Sequence, residues 1–203
     1  MRTKSAVTHI VSINIIVFLL WYLIPEFMIE NFLVSWSGVT SGKVWQLITS
    51  VFSHNMFFHI FVNMYAFYGF GMVLEGVLGK ARFLRFYLLA GIIASFAHCF
   101  VSYYLMDEPN LPALGASGAV SAVIMLFSLM FPKERILLLG ILPLPAMTAA
   151  LIFVGLDVWG LIAQTNGGSL PIGHGAHLGG SLFGVIYYFS VMRHRRHSGS
   201  FMV

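Results

Sequence analysis

Serine, histidine and asparagine residues occur at four positions where their types and spacing could support acyl transfer. Ser117 lies within the segment Gly115-Ala116-Ser117-Gly118, and His177 follows sixty positions later. An imidazole beside a serine hydroxyl can take its proton as a general base and return that proton to a leaving amine. His59 and Asn63 are four residues apart, on one face of a helix, and could donate hydrogen bonds to a developing oxyanion.

Ser117 also has a simpler interpretation, because serine commonly caps the N-terminus of a helix. The Gly-x-Ser-x-Gly pattern of soluble hydrolases does not apply, since residue 119 is Ala and the residues that follow are typical of a helix. The choice between capping and catalysis therefore depends on whether His177 lies at the same depth in the molecule.

The elements that carry these residues are far more apolar than those of a soluble protein. Of the 203 residues, 59% are apolar and 9% are charged, against roughly 45–50% and 25% in an ordinary soluble domain. A soluble globular fold is therefore excluded. The single cysteine, Cys99, excludes an internal disulfide and a metal cluster built from cysteines.

Six long runs contain no charged residue, and each is long enough for a helix that crosses a bilayer. We predict an all-α, polytopic bundle that forms one domain over residues 1–203. The predicted spans are about 8–24, 56–77, 84–105, 117–131, 137–157 and 175–192. The first connection, about 25–55, is predicted to lie along the membrane interface, and residues 164–173 are predicted to form a flexible loop.

The basic residues predict the orientation of this bundle. With a cytoplasmic N-terminus, six spans place ten of the eleven Lys and Arg residues on the cytoplasmic side, and only Lys43 on the other. Both termini are then cytoplasmic. The net charge of +4 reflects this topology and contact with anionic membrane lipid, so no nucleic-acid partner is expected.

Counting residues back from the cytoplasmic ends predicts a common depth for the candidate residues. Ser117 lies 16 positions before Lys133, His177 lies 16 before Arg193, and Asn63 lies 17 before Lys80. Sixteen helical residues rise roughly 24 Å, less than the ~30 Å hydrocarbon thickness. All three side chains should therefore lie several ångströms below the outer surface, and the equal depth favours catalysis by Ser117.

Small residues predict that the helices carrying Ser117 and His177 pack closely. Ala176, Gly180 and Gly184 recur every four residues beside His177, and Gly118 and Ala122 follow Ser117. Small residues at this spacing allow transmembrane backbones to approach one another. No Asp or Glu is predicted at that depth, so we expect a Ser–His dyad. Asp157, the only conceivable third member, is assigned to the outer end of the fifth span as a boundary charge.

Three motifs give the chain a family resemblance. Gly115-Ala116-Ser117-Gly118 opening the fourth span, the His59-to-Asn63 segment in the second, and Ala176-His177-Leu-Gly-Gly180 in the sixth resemble the rhomboid intramembrane serine proteases. The resemblance is closest to a compact bacterial rhomboid of the GlpG type and covers roughly residues 40–195. It implies that Ser117 is the nucleophile, that His177 is the base, and that His59, Asn63 and Gly115 line the oxyanion site.

The resemblance also implies a substrate and a location. The substrate is another transmembrane protein, cut near the outer end of its helix, without metal or cofactor. The location is the bacterial inner membrane, with the active site open to the periplasmic side. The chain departs from the family at Gln46, where an Arg often follows Trp45, and at Ser121, where a Tyr often packs on the catalytic histidine.

Two other functions are consistent with parts of this pattern. A metal or ion transporter could use His54, His59, His174 and His177, because intramembrane polar residues mark ion pathways. Against it, no intramembrane carboxylate accompanies these histidines, and the zinc-protease motif His-Glu-x-x-His is absent. An inactive rhomboid-like scaffold would lack the serine or the histidine, whereas this chain has both.

Overall fold

The computed structural model describes residues 5–138, 142–168 and 172–192, and these are mainly helical. In chain order the helices are α1 (Ala6–Leu23), α2 (Pro25–Phe32), α3 (Trp36–Thr40), α4 (Gln46–Thr49), α5 (Phe57–Leu78), α6 (Lys80–Tyr104), α7 (Ser117–Met130), α8 (Ala146–Thr165) and α9 (His174–Tyr187). Within the described residues, four of them are long and apolar enough to cross a membrane: α1, α5, α6 and α8. A 3₁₀ turn (Ser50–Phe52) follows α4, and a π-helical turn (Tyr188–Met192) follows α9.

Helix α7 forms the centre of the molecule and packs most closely against α9. A Cβ atom on Gly180 would collide with the carbonyl oxygen of Gly118, and one on Gly184 would lie 2.8 Å from the carbonyl oxygen of Ala122. The two backbones are therefore in direct contact, as the small-residue pattern predicts. The fully buried residues of α7 line the core: Ala119, Ala122, Val123 and Leu126.

A carboxylate joins the first helix to the second long helix. Glu75 of α5 accepts hydrogen bonds from the backbone N–H groups of Ala6 (2.8 Å) and Val7 (2.9 Å), and from the Ser5 hydroxyl (2.7 Å). A negative charge is favourable at a helix N-terminus, where these N–H groups have no acceptor within the helix. The contact fixes the start of α1 against the C-terminal end of α5.

The connection over residues 25–55 is ordered as short helices, and its position along the membrane interface remains a prediction. Gln46, buried at the start of α4, donates from Nε2 to the carbonyl of Glu30 on α2 at 2.8 Å. Val34 pairs with Ala113 in an isolated bridge. Gln46, the residue that departs from the Arg expected from the resemblance, thus anchors the connection through an uncharged contact.

The fifth predicted span begins too early. Residues Arg135–Leu138 (β1) and Leu142–Pro145 (β2) form an antiparallel pair, and α8 begins at Ala146. Pro143 and Pro145 explain the difference, because proline lacks the N–H that a helix interior requires. The all-α prediction is therefore wrong for this hairpin. The helix lies about nine residues further along the chain than predicted, and it ends at Thr165, inside the predicted 164–173 loop; residues 169–171 lie outside the described residues.

The six-span count and the orientation remain predictions. Helix α7 has 14 residues, about 21 Å, and α9 also has 14 before the π-helical turn continues it. Both are shorter than the four long helices. The basic residues at positions 2, 4, 193, 195 and 196, on which the orientation depends, lie outside the described residues.

Candidate active site

Ser117 is the first residue of α7, at the point where a glycine-containing turn enters the helix. Its hydroxyl does not cap the helix, because Ala116 occupies the N-cap position and no side-chain cap bond is made. Instead, Ser117 Oγ lies 2.8 Å from His177 Nε2 on α9. The close contact between α7 and α9 brings the two residues together, as expected from their equal predicted depth.

A carboxylate completes this arrangement, contrary to the sequence expectation of a dyad. Asp157 of α8 has Oδ1 2.9 Å from His177 Nδ1. A carboxylate only accepts hydrogen bonds, so Nδ1 carries the proton and Nε2 presents its lone pair to the Ser117 hydroxyl. Asp157 is therefore not a boundary charge. It orients His177, a role that Ser121 cannot fill because its hydroxyl donates to the Ser117 carbonyl at 2.9 Å.

Asp157 was not predicted as a member of the site because the predicted fifth span lies too early in the sequence. A helix over 137–157 puts Asp157 at its end, whereas α8 continues eight residues beyond it. Pro143 and Pro145 were the signal that could have corrected this, because they favour a helix that begins after them.

His174 shares the same carboxylate oxygen. His174 Nδ1 lies 2.8 Å from Asp157 Oδ1, and the imidazole is buried against α8 at Gly160. A Cβ atom on Gly160 would collide with the His174 ring. The glycine therefore makes room for this second histidine, which the sequence suggested only as one possible metal ligand among several.

The turn before Ser117 is packed against two histidines. Gly115 has φ +126°, a conformation that favours glycine, and a Cβ there would lie 2.7 Å from His59 Cε1. The N–H of Ala116 donates to His54 Nε2 at 3.3 Å, and the His54 and His59 rings are 4.8 Å apart. Burial, together with the neighbouring His59, lowers the pKa of His54 to about 3. His54 is therefore neutral, as an acceptor must be.

Asn63 lies buried on the same face of α5 as His59. Its Nδ2 donates to the His59 carbonyl at 2.9 Å, which uses one of its two N–H groups. The structure thus gathers His59 and Gly115 beside Ser117, and holds Asn63 one helical turn further along α5.

A family model described as the Rhomboid domain matches residues 41–194. That range contains every residue of the site. The chain belongs to the rhomboid family. The expected family resemblance is confirmed, and membership supports a function like that of an intramembrane protease.

Named relatives refine this assignment. The chain is 30% identical over 205 residues to RHOMBOID-like protein 12, mitochondrial, of Arabidopsis thaliana, covering 95% of this chain and 60% of that protein. It is 32% identical to Presenilin-associated rhomboid-like protein A, mitochondrial, of Danio rerio (91% and 47% covered). It is 35% identical to Rhomboid protein 1, mitochondrial, of Saccharomyces cerevisiae (91% and 52% covered). The chain spans about half to three-fifths of the length of these relatives.

Two expectations are corrected by these relatives. They are mitochondrial rhomboids, and not compact bacterial rhomboids of the GlpG type. The expected location in a bacterial inner membrane is therefore wrong, because the relatives point to mitochondria.

Proposed function

We propose that this rhomboid is an active serine endopeptidase that hydrolyses a peptide bond near the outer end of a substrate's transmembrane helix. One observation carries the proposal: Ser117, His177 and Asp157 form a continuous hydrogen-bonded chain, with distances of 2.8 and 2.9 Å, in a bundle with four helices long enough to cross a membrane. This chain of contacts has the geometry of an activated nucleophile, its base and the group that orients the base.

The reaction follows from the protonation states. His177 Nε2 takes the proton as Ser117 Oγ attacks the substrate carbonyl, and the imidazolium is stabilised by Asp157. The imidazolium then gives the proton to the leaving amine, which departs and leaves an acyl-enzyme. Water enters, gives a proton to Nε2 and attacks the ester carbon. The ester bond breaks, Ser117 recovers its proton, and the new carboxyl terminus is released.

We place the oxyanion site at the start of α7. The backbone N–H groups of the first turn of a helix have no acceptor within the helix, and the helix dipole favours a negative charge there. His59 and the second N–H group of Asn63 are the side-chain donors, and Gly115 gives the His59 ring its room. Asn63→Ala should lower kcat about 10-fold to 10³-fold, because a lost oxyanion donor costs that much. An unchanged kcat would remove Asn63 from the oxyanion site.

A reactive-serine assay tests the proposal without knowledge of the natural substrate. The full chain in detergent is treated with a fluorophosphonate probe, which phosphonylates only an activated serine. We expect labelling of the wild type, none of Ser117→Ala, and labelling of the control Ser121→Ala. Cleavage of a tagged transmembrane substrate, abolished in Ser117→Ala, completes the test. A folded wild-type protein that is neither labelled nor able to cleave would instead support the inactive scaffold.

The relatives also support a location. We propose a mitochondrial membrane as the site of action, with membrane lipid and transmembrane proteins as the partners of the chain. Cell fractionation of the tagged full-length protein tests this, and recovery outside the mitochondrial fraction would contradict it.

A further inference from the structure

Three metal-ligating atoms converge behind the catalytic serine. Asp157 Oδ1, His174 Nδ1 and His177 Nδ1 all lie within 4.8 Å of one another. The histidines are one turn apart on α9, and the carboxylate faces both from α8. The side chains are largely buried, with exposed fractions of 13% for Asp157, 6% for His174 and 19% for His177. The site is thus shielded from solvent, and His177 is the most exposed of the three side chains.

We propose that Asp157, His174 and His177 bind a divalent metal ion of the zinc class, and that the bound ion reversibly inactivates Ser117. Two imidazoles and one carboxylate with an open fourth position are a ligand set that zinc accepts. Metal–ligand distances of about 2.0–2.2 Å place ligands around a tetrahedral centre roughly 3.3 Å apart. The observed 2.8 and 2.9 Å contacts therefore need to widen by about half an ångström.

The structure supplies the carboxylate that the sequence did not predict. One of the two grounds against a metal was that no carboxylate was expected at the depth of the histidines, and Asp157 supplies one from α8. The packing of His174 against Gly160 fixes the ring that would hold the ion. Packing of this kind fixes the orientation of a ligand ring before an ion binds.

The inactivation follows from where the protons reside. In the metal-free protein, His177 has its proton on Nδ1 and accepts the Ser117 hydroxyl proton at Nε2. A metal ion takes the Nδ1 lone pair, so the proton of the neutral ring moves to Nε2. Nε2 then points an N–H at Ser117 Oγ and cannot act as a base. This consequence rests on the proposed protease function, whereas metal binding itself does not.

Cobalt is the probe that tests binding independently of activity. The full Ser117→Ala protein, which keeps all three ligands, is titrated in detergent with Co²⁺ and followed by its visible ligand-field absorption. We expect a tetrahedral-type spectrum that one equivalent of Zn²⁺ abolishes. His174→Gln and Asp157→Asn should each weaken binding at least 10-fold, since even outer-shell changes cost about 10–100-fold. His9→Gln, at an exposed histidine of α1, should bind as the parent does.

The activity measurement is separate from the binding measurement. Zn²⁺ should block fluorophosphonate labelling of the wild-type protein, and EDTA should restore it. A wild-type protein that never labels would contradict the protease function, while the cobalt spectrum would still decide the metal site. Absence of cobalt binding, or equal binding by the folded His174→Gln and Asp157→Asn variants, would overturn the metal proposal.

Discussion

The α7–α9 pair and helix α8 hold their catalytic groups in different ways. Between α7 and α9 the backbones touch, with Gly180 against the carbonyl of Gly118. Helix α8 buries only a few small residues against the bundle and exposes many large apolar ones, Trp159 among them. Its buried residues are Ala146, Ala149, Ala150 and Gly160.

This difference in packing predicts one role for Ser117 and His177 and another for Asp157. Ser117 and His177 are fixed by close backbone contact, so their 2.8 Å separation is a property of the core. Asp157 is carried on a helix whose large apolar side chains are mostly exposed, and its hydrogen bonds to His174 and His177 tie that helix to the site. The nucleophile and base should therefore be indispensable, and the carboxylate should modulate them.

Removal of the base should have the largest effect. We expect His177→Ala to lower the rate of substrate cleavage by about 10⁴-fold or more, because Ser117 then has no proton acceptor. The double variant with Ser117→Ala should be no worse, since residues that act as a unit are not additive. Both are measured as single-turnover cleavage of a tagged substrate. A His177→Ala protein with substantial activity would contradict the assignment of the base.

Neutralising the carboxylate should have the next largest effect. Asp157→Asn keeps the shape but presents an amide that no longer fixes the proton on His177 Nδ1, so kcat should fall by about 10²–10⁴-fold. The matched control, Asp107→Asn, changes an exposed carboxylate with φ +56°, which Asn tolerates, and should leave kcat unchanged. Equal activity of the two variants would show that the site works as a dyad.

The sequence was sufficient for the part of the site that depends on α7 and α9. The number of residues from each cytoplasmic end predicted the same depth for Ser117 and His177, and the spacing of small residues predicted that their helices touch. Both signals can be read from short stretches of sequence. The position of the Asp157 carboxylate depends on where α8 begins, and the hairpin with its two prolines determines that start. The predicted helix began nine residues too early, which placed Asp157 at its end and away from the site. The contact of His54 with Ala116 could not be predicted in this way, because His54 precedes the predicted span at 56–77 and the residue count gives it no depth.

The backbone contact can be tested by adding one methyl group at two glycines. Gly180→Ala places a Cβ against the Gly118 carbonyl, so the free energy of unfolding should fall by about 1–3 kcal/mol. Gly155→Ala on α8 meets open space and should be neutral or raise stability by up to about 1 kcal/mol. Unfolding in a denaturing-detergent titration measures both. Equal destabilisation would show that α7 and α9 are no more tightly packed than α8.

The smallest expected effect is a pH dependence at the turn that leads to Ser117. The pKa of His54 is lowered from 6.5 to about 3 by burial, then by the neighbouring His59. Below pH 6.5 the unfolded chain binds a proton at His54 that the folded chain excludes, so stability falls as the pH falls. The loss is about 1.4 kcal/mol for one pH unit below 6.5.

His54→Gln isolates this contribution, because Gln keeps an acceptor for the Ala116 N–H but does not titrate. Between pH 7.5 and 5.5, the variant should lose about 1.4 kcal/mol less of its free energy of unfolding than the wild type does. His9→Gln, which changes an exposed histidine, should follow the wild type. Because the wild type and His54→Gln share all other titrating groups, the difference between these two proteins reports His54. If the free energy of unfolding of His54→Gln fell with pH as steeply as that of the wild type, a neutral His54 imidazole would not be what stabilises the turn before Ser117.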